Sequence, residues 1–232
     1  MRKRIWELDA VRGAALIGMI LIHLHYDVVE LFGLWDWNPG WYQLFKNNYG
    51  AIFLLISGVS ATLGNHPVKR GLQVFCCGFL CTAVTAGMYF LGFAGKDIII
   101  YFGVLQCLGC CMVLWHLFRK AKSLLLLVLA AAMVGLGLWL RGVGFSFPWL
   151  TVLGFAPYGF ASSDYFPLFP NLGYFLIGAV LGRKLYAEKA SRFPRENLPA
   201  KFLQWMGRNS LLIYLLHQPI LAAVVGGIAM VC

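Results

Sequence analysis

Charge is scarce in this chain. Lys, Arg, Asp and Glu make up 12% of its 232 residues, against roughly 25% in an ordinary soluble domain. Only nine residues are acidic, too few to clothe a water-facing surface. A cysteine framework is also missing. Cys76, Cys77, Cys81, Cys107, Cys110 and Cys111 lie inside two apolar runs, and Cys232 is the last residue, so no extramembrane disulfide scaffold is expected. The Cys107-x-x-Cys110 spacing resembles a redox or metal pair, but inside an apolar helix these are small, polarisable packing residues, and no metal is assigned. Internal repeats and low-complexity tracts are absent. No small-residue cleavage site follows the first apolar run, so that run is expected to stay as a first helix rather than be removed as a signal peptide.

Apolar length is what the chain has in abundance. Hydrophobic residues make up 60% and the mean hydropathy is +0.75. About 20 apolar residues cross a bilayer as a helix, and seven segments qualify: 12–33, 49–64, 70–92, 98–118, 123–140, 166–186 and 209–231. The expected fold is all-α, a polytopic transmembrane helix bundle of about seven spans forming one domain over 1–232. The formal charge of +10 follows topology rather than nucleic-acid binding. Fifteen basic residues fall in the N-terminus and alternate loops, with Arg12 at their edge, and only Lys46, Lys96 and Arg141 fall on the other side. The positive-inside rule then puts the N-terminus in the cytoplasm and the C-terminus outside.

Three loops carry more than charge. The segment 35–48 is rich in Trp and Tyr, which reads first as an interfacial belt and second as a sugar-stacking platform. The segment 142–164 is too short and too broken by proline to span; it reads as a re-entrant or capping loop. In 183–208, Phe202, Trp205 and Met206 suit a short helix lying at the interface.

Polar groups inside such spans are expensive and mark function by default. Arg12 and His23 are eleven residues apart, which brings them within roughly 20° of one helix face and about 16 Å along it. Asp9 and Asp27 fall close to that face, and Asp27 is the i,i+4 neighbour of His23, placed to orient the imidazole. His25 points about 200° away from His23 and is the weaker candidate. The last span has a second stripe of Ser210, Tyr214, His217 and Gln218, followed by Pro219, which removes a helical hydrogen bond and favours a kink. His217 lies at a depth comparable to His23, so the two suggest one internal site. The plainer reading of His23 is a hydrogen bond between helices, worth about 1 kcal/mol, and that of Tyr214 and Gln218 is a Pro-kinked structural helix. Gln106 is polar at mid-span, and Asp164 stands just before the sixth span, where it reads equally as lining the outer mouth or as a solvated helix start. Gly178-x-x-x-Gly182, Ser57-Gly58 and Ser60 mark close helix packing.

These blocks occur in a fixed order: LDAVRG and HLHYD within 8–27, SGVSATLG at 57–64, YFGVLQCLG at 101–109, SDYFPLFPNLGYFLIGAVLG at 163–182 and GRNSLLIYLLHQP at 207–219. Together they resemble the heparan-alpha-glucosaminide N-acetyltransferase catalytic-domain family, within the membrane acyltransferase superfamily. The resemblance implies a transmembrane acyltransferase that takes an acetyl group from cytosolic acetyl-CoA and passes it to a glycan or amino sugar on the far side. It implies His23 as catalytic base and Arg12 as a donor contact. On that reading Asp27 orients His23, His217 or Tyr214 stabilises the oxyanion or positions the acceptor, and Arg12 with Arg208 pairs with the phosphates. Gln218, Gln106 and Asp164 complete the substrate side.

The family's larger members have about ten or eleven helices in the resemblance, so seven is a minimal set, and a homodimer is one way to complete it. Lipid is the surrounding partner, no nucleic-acid partner is expected, and short loops suit a bacterial plasma membrane. A proton-coupled small-molecule transporter is the rival reading, since buried His and Asp also make a relay. A structural subunit is the third.

Overall fold

The computed structural model describes residues 5–193 and 198–231. Arg2, Lys3, Arg4, Arg195 and Cys232, which entered the charge and cysteine readings, lie outside the described residues. Eight α-helices form the described chain: α1 Trp6–His25, α2 Gly40–Leu63, α3 Pro67–Phe90, α4 Val104–Phe118, α5 Ser123–Leu140, α6 Leu168–Leu185, α7 Leu198–Arg208 and α8 Ser210–Ala229. Among the described residues there are no strands, only two isolated bridges, Phe102 with Tyr165 and Phe145 with Pro157. The all-α expectation therefore holds.

Four helices are long and apolar enough to cross a membrane: Trp6–Leu31, Pro67–Phe90, Ser123–Leu140 and Ser210–Ala229. The other three expected spans fall on α2, α4 and α6. Of these, α4 is apolar but only 15 residues long, short of the roughly 20 that a straight crossing needs.

The helices group into two compact units. The first comprises Met1–Phe53 with Glu188–Cys232, the second Leu54–Ala187. In the first unit α1 starts with Glu7 and Asp9 in its opening turn, charges that suit the positive end of the helix dipole, and has His23 and His25 in its last turn. It passes into a π-helical turn, Tyr26–Leu31. Phe32 N–H reaches the Asp27 carbonyl at 2.9 Å, the i→i+5 pattern of a π turn.

Helix α7 lies along α1 at backbone contact. A Cβ at Gly13 would stand 2.0 Å from the Leu203 carbonyl oxygen, and one at Gly207 1.8 Å from that of Asp9, so neither position admits a side chain. The pairing of 13 with 203 and 9 with 207 makes the two helices antiparallel. Leu16, Met19 and Met206 form the buried cluster between them. Phe202 and Trp205 point the other way, exposed and stacked at 6.3 Å. This is the amphipathic short helix that the composition of 183–208 calls for, with Met206 turned inward rather than toward the interface.

Buried Glu7 ties the preceding segment down, accepting from Ser191 Oγ at 2.7 Å and from Arg192 N–H at 2.8 Å. The Trp-rich segment is tethered by His25, whose Nε2 meets the Trp37 carbonyl at 2.7 Å and whose ring lies 3.9 Å from that of Tyr42. Its second half is already α2, which begins at Gly40. His25 is thus a loop anchor.

In the second unit, α3 pairs with α4 and α5 with α6. The small-residue stripes meet as expected. A Cβ at Gly178 would lie 2.1 Å from the Leu55 carbonyl oxygen, and one at Gly58 2.0 Å from that of Phe175. The segment 142–164 forms no α-helix, only a 3-10 turn at Thr151–Leu153. Its end is tied to the α3–α4 connection by Ser162 Oγ to the Ile99 carbonyl at 2.8 Å and Ser163 Oγ to that of Ile98 at 2.6 Å. Tyr165 closes it, donating to the Thr151 carbonyl at 2.7 Å. Burial pushes that phenol up to about 12, so it remains a donor.

Candidate functional site

Two polar clusters stand on α1, both inside the first unit. The deeper one joins α1, its π turn and α8. His23 is half-buried, and its Nδ1 lies 2.9 Å from the Met19 carbonyl. A carbonyl only accepts, so this nitrogen carries the proton and Nε2 keeps its lone pair. His217 is built the same way. Its Nδ1 lies 2.5 Å from the Tyr214 carbonyl, and its Nε2 is buried with no hydrogen-bond partner. The two imidazoles meet edge to face with centroids 4.7 Å apart. The Tyr214 ring is 5.4 Å from His217. The two stripes inferred from sequence therefore do converge.

Asp27 differs from expectation in its partner. It is fully buried, and its Oδ1 accepts from Gln218 Nε2 at 2.7 Å, while Oδ2 has no partner. The i,i+4 hydrogen bond to His23 does not form. The reason is the π turn, whose wider winding carries Asp27 off the line of an α-helical i,i+4 pair. Gln218 thereby becomes a partner of Asp27, with its own Oε1 buried and unpaired. Helix α8 runs on through Pro219 to Ala229, and Pro219 supplies no N–H to the Leu215 carbonyl.

The second cluster stands near the start of α1, where α7 crosses it. Asp9 takes Arg12 Nη1 on one oxygen at 3.0 Å and Arg208 Nε on the other at 3.6 Å. Arg12 also donates to the Gly207 carbonyl at 3.4 Å. Arg208 Nη2 donates to Gln204 Oε1 at 2.9 Å. Arg12 and Arg208, far apart in sequence, thus share one carboxylate. Sequence reasoning placed Asp9 on the right face but gave it no role, and it missed Gln204. The signal was the i,i+4 spacing of Gln204 and Arg208 on an amphipathic helix.

Gln106 and Asp164 belong to the second unit, where both cap the amino end of α4. Gln106 Oε1 accepts from Gly103 N–H at 3.0 Å, and its Nε2 donates to Thr82 Oγ1 at 2.9 Å. Asp164 Oδ2 accepts from Val104 N–H at 3.0 Å. Those contacts give each a structural task at the start of α4.

Apolar spanning helices that keep ionisable groups inside a bundle define an integral membrane protein with an internal polar site. The chain belongs to the heparan-alpha-glucosaminide N-acetyltransferase catalytic family, whose model matches residues 4–219. That family is one of membrane acetyltransferases. No curated protein and no solved structure matches the chain.

Proposed function

We propose that the chain moves an acetyl group from cytosolic acetyl-CoA to an amine or hydroxyl acceptor, a glycan or amino sugar, that reaches the site from the extracytoplasmic side. The supporting observation is the histidine pair: two imidazoles 4.7 Å apart, each with Nδ1 tied to its own helix, so that Nε2 is the nitrogen left for proton transfer. In this reading seven crossings place the N-terminus in the cytoplasm and the C-terminus outside, in a bacterial plasma membrane.

Acetyl-CoA supplies the thioester carbon. The chain's own groups do the rest. Arg12 and Arg208 hold the polyanionic end. His23 Nε2 takes the proton from the acceptor nitrogen or oxygen as that atom bonds to the thioester carbon. The carbon–sulfur bond breaks, and the thiolate sulfur receives a proton as free CoA. His217 and Tyr214 position the acceptor or the developing oxyanion. Asp27, held by Gln218, offers its second oxygen to an acceptor hydrogen. The apolar bundle keeps water from the thioester.

Purified protein in detergent, given acetyl-CoA and glucosamine, should release free CoA only when the amino sugar is present. Coupled flux of a small solute in vesicles without CoA release would replace this reading with the proton-coupled transporter, to which a buried carboxylate and two histidines are also suited.

A further inference from the structure

We propose that Gln204 completes a phosphate site with Arg12 and Arg208, and that Asp9 is the internal anion which the incoming phosphate displaces. The inference rests on the acetyl-CoA reading for its ligand. Its geometry stands by itself.

Gln204 is 3% exposed. Its Oε1 is held by Arg208 Nη2 at 2.9 Å, and a guanidinium only donates, so the amide can face Arg208 in one sense alone. That leaves Nε2 as a buried donor without a partner. A buried unpartnered amide held against the Arg208 guanidinium, which shares the Asp9 carboxylate with Arg12, is a donor in want of an acceptor oxygen. Phosphate brings several on one atom and charge of the right sign.

Asp9 grips its two arginines unequally, Arg12 at 3.0 Å and Arg208 at 3.6 Å, and the Arg208 side chain is 45% exposed. Exposed ion pairs are weak, so the Arg208 contact is the one that exchanges. When Arg208 turns to a phosphate, the Gln204 amide follows through Oε1 and brings its NH₂ to the same ligand. This favours phosphate over a monocarboxylate: a tetrahedral anion can offer each of the three groups its own oxygen, whereas a planar carboxylate has two to share.

Two sources share this chemistry, the phosphates of CoA and the phosphate of an anionic lipid head group, since Phe202 and Trp205 are exposed on the same helix. Gln204→Glu separates structure from binding, because a carboxylate keeps the Arg208 contact while removing the amide donor and adding like charge against phosphate. Full-length wild type, Gln204→Glu and the isosteric Gln204→Met are compared for binding of CoA and of inorganic pyrophosphate, with thermal unfolding of each ligand-free protein. The same proteins go into nanodiscs of phosphatidylcholine with or without phosphatidylglycerol.

The expected result is a loss of about tenfold or more in affinity for CoA and pyrophosphate in Gln204→Glu, with its unfolding midpoint kept. In turnover, KM for acetyl-CoA should rise far more than kcat falls, and Asp9→Asn should tighten CoA binding severalfold. CoA affinity unchanged in both Gln204 variants, with no change in lipid dependence, overturns the proposal. A defect confined to phosphatidylglycerol nanodiscs keeps the phosphate site and overturns its assignment to CoA. Wild type that binds pyrophosphate through Gln204 but transfers no acetyl group sinks the acetyltransferase reading and leaves the site standing.

Discussion

At its amino end α1 meets α7, and the buried polar atom left unpaired there is a donor: Gln204 Nε2, on the amide that holds Arg208, which shares the Asp9 carboxylate with Arg12. His23 is eleven residues beyond Arg12, about 16 Å along the same helix, and where it meets α8 the leftover groups are acceptors: His217 Nε2, Asp27 Oδ2 and Gln218 Oε1. An unpaired polar atom under cover costs about 1–3 kcal/mol, so each set is a local cost to stability. The donors suit an anion, and the acceptors suit a molecule rich in N–H and O–H. In the reading proposed above, the end where α1 meets α7 takes the polyanionic donor, and the end where it meets α8, with the histidine pair, takes the amine or alcohol.

The comparison breaks most sharply at His23. His23→Ala should lower acetyl transfer by about 10²–10⁴-fold, the usual worth of a positioned general base, while CoA binding measured by calorimetry persists. Normal turnover in that variant would remove the acceptor end from the chemistry. Arg12→Ala tests the other end. It should weaken CoA binding by about 10–100-fold, since a hydrogen bond to a charged group is worth about 1.5–3 kcal/mol, and it should flatten the salt dependence of binding. Equal affinity in the variant would mean that the arginine serves internal partners such as Asp9 and the Gly207 carbonyl rather than the donor.

How much of this the sequence foretold depended on which physical rule governed each residue. Helical periodicity put Arg12 and His23 on one face and His217 on another, and the rings meet at 4.7 Å. The glycine spacing at 178 and 182 foretold a backbone contact, and α2 supplies it. Asp27 went astray because a regular α-helix was assumed through 26–31, and nothing local in YDVVEL announces a π turn. Gln106 was legible as a polar group facing the interior and Asp164 as a group at the outer mouth or a helix start, but neither as a cap of α4, since capping depends on where α4 begins. The α7 cluster was the least legible. Asp9, Arg12, Gln204 and Arg208 come together through an antiparallel crossing of segments nearly two hundred residues apart, and no spacing encodes that.

That crossing is the next place to press. Gly207→Ala puts a methyl 1.8 Å from the Asp9 carbonyl oxygen, so α7 must back away. Overpacking of this kind costs about 1–3 kcal/mol, which should appear as a lowered thermal midpoint in detergent. Because Asp9 and Arg208 ride on the two helices concerned, CoA affinity should fall with it, while the histidine pair, held by α8, should keep its titration as read by NMR. Loss of both together would mean that the two ends are not separately supported.

The smallest effect belongs to the Asp27–Gln218 contact at 2.7 Å, and it is read as a difference. Gln218→Leu removes the donor and leaves a fully buried carboxylate with neither oxygen paired. Asp27→Leu removes the acceptor and leaves a neutral amide that tolerates burial better. The first should destabilise more than the second, and the double variant less than their sum, with a coupling of about 1 kcal/mol as found for hydrogen bonds between membrane helices. The measurement is a double-mutant cycle on unfolding free energy in detergent. Additivity would show that Gln218 does not hold Asp27. The free Oδ2 would then have no fixed direction, and the acceptor end would rest on the histidines alone.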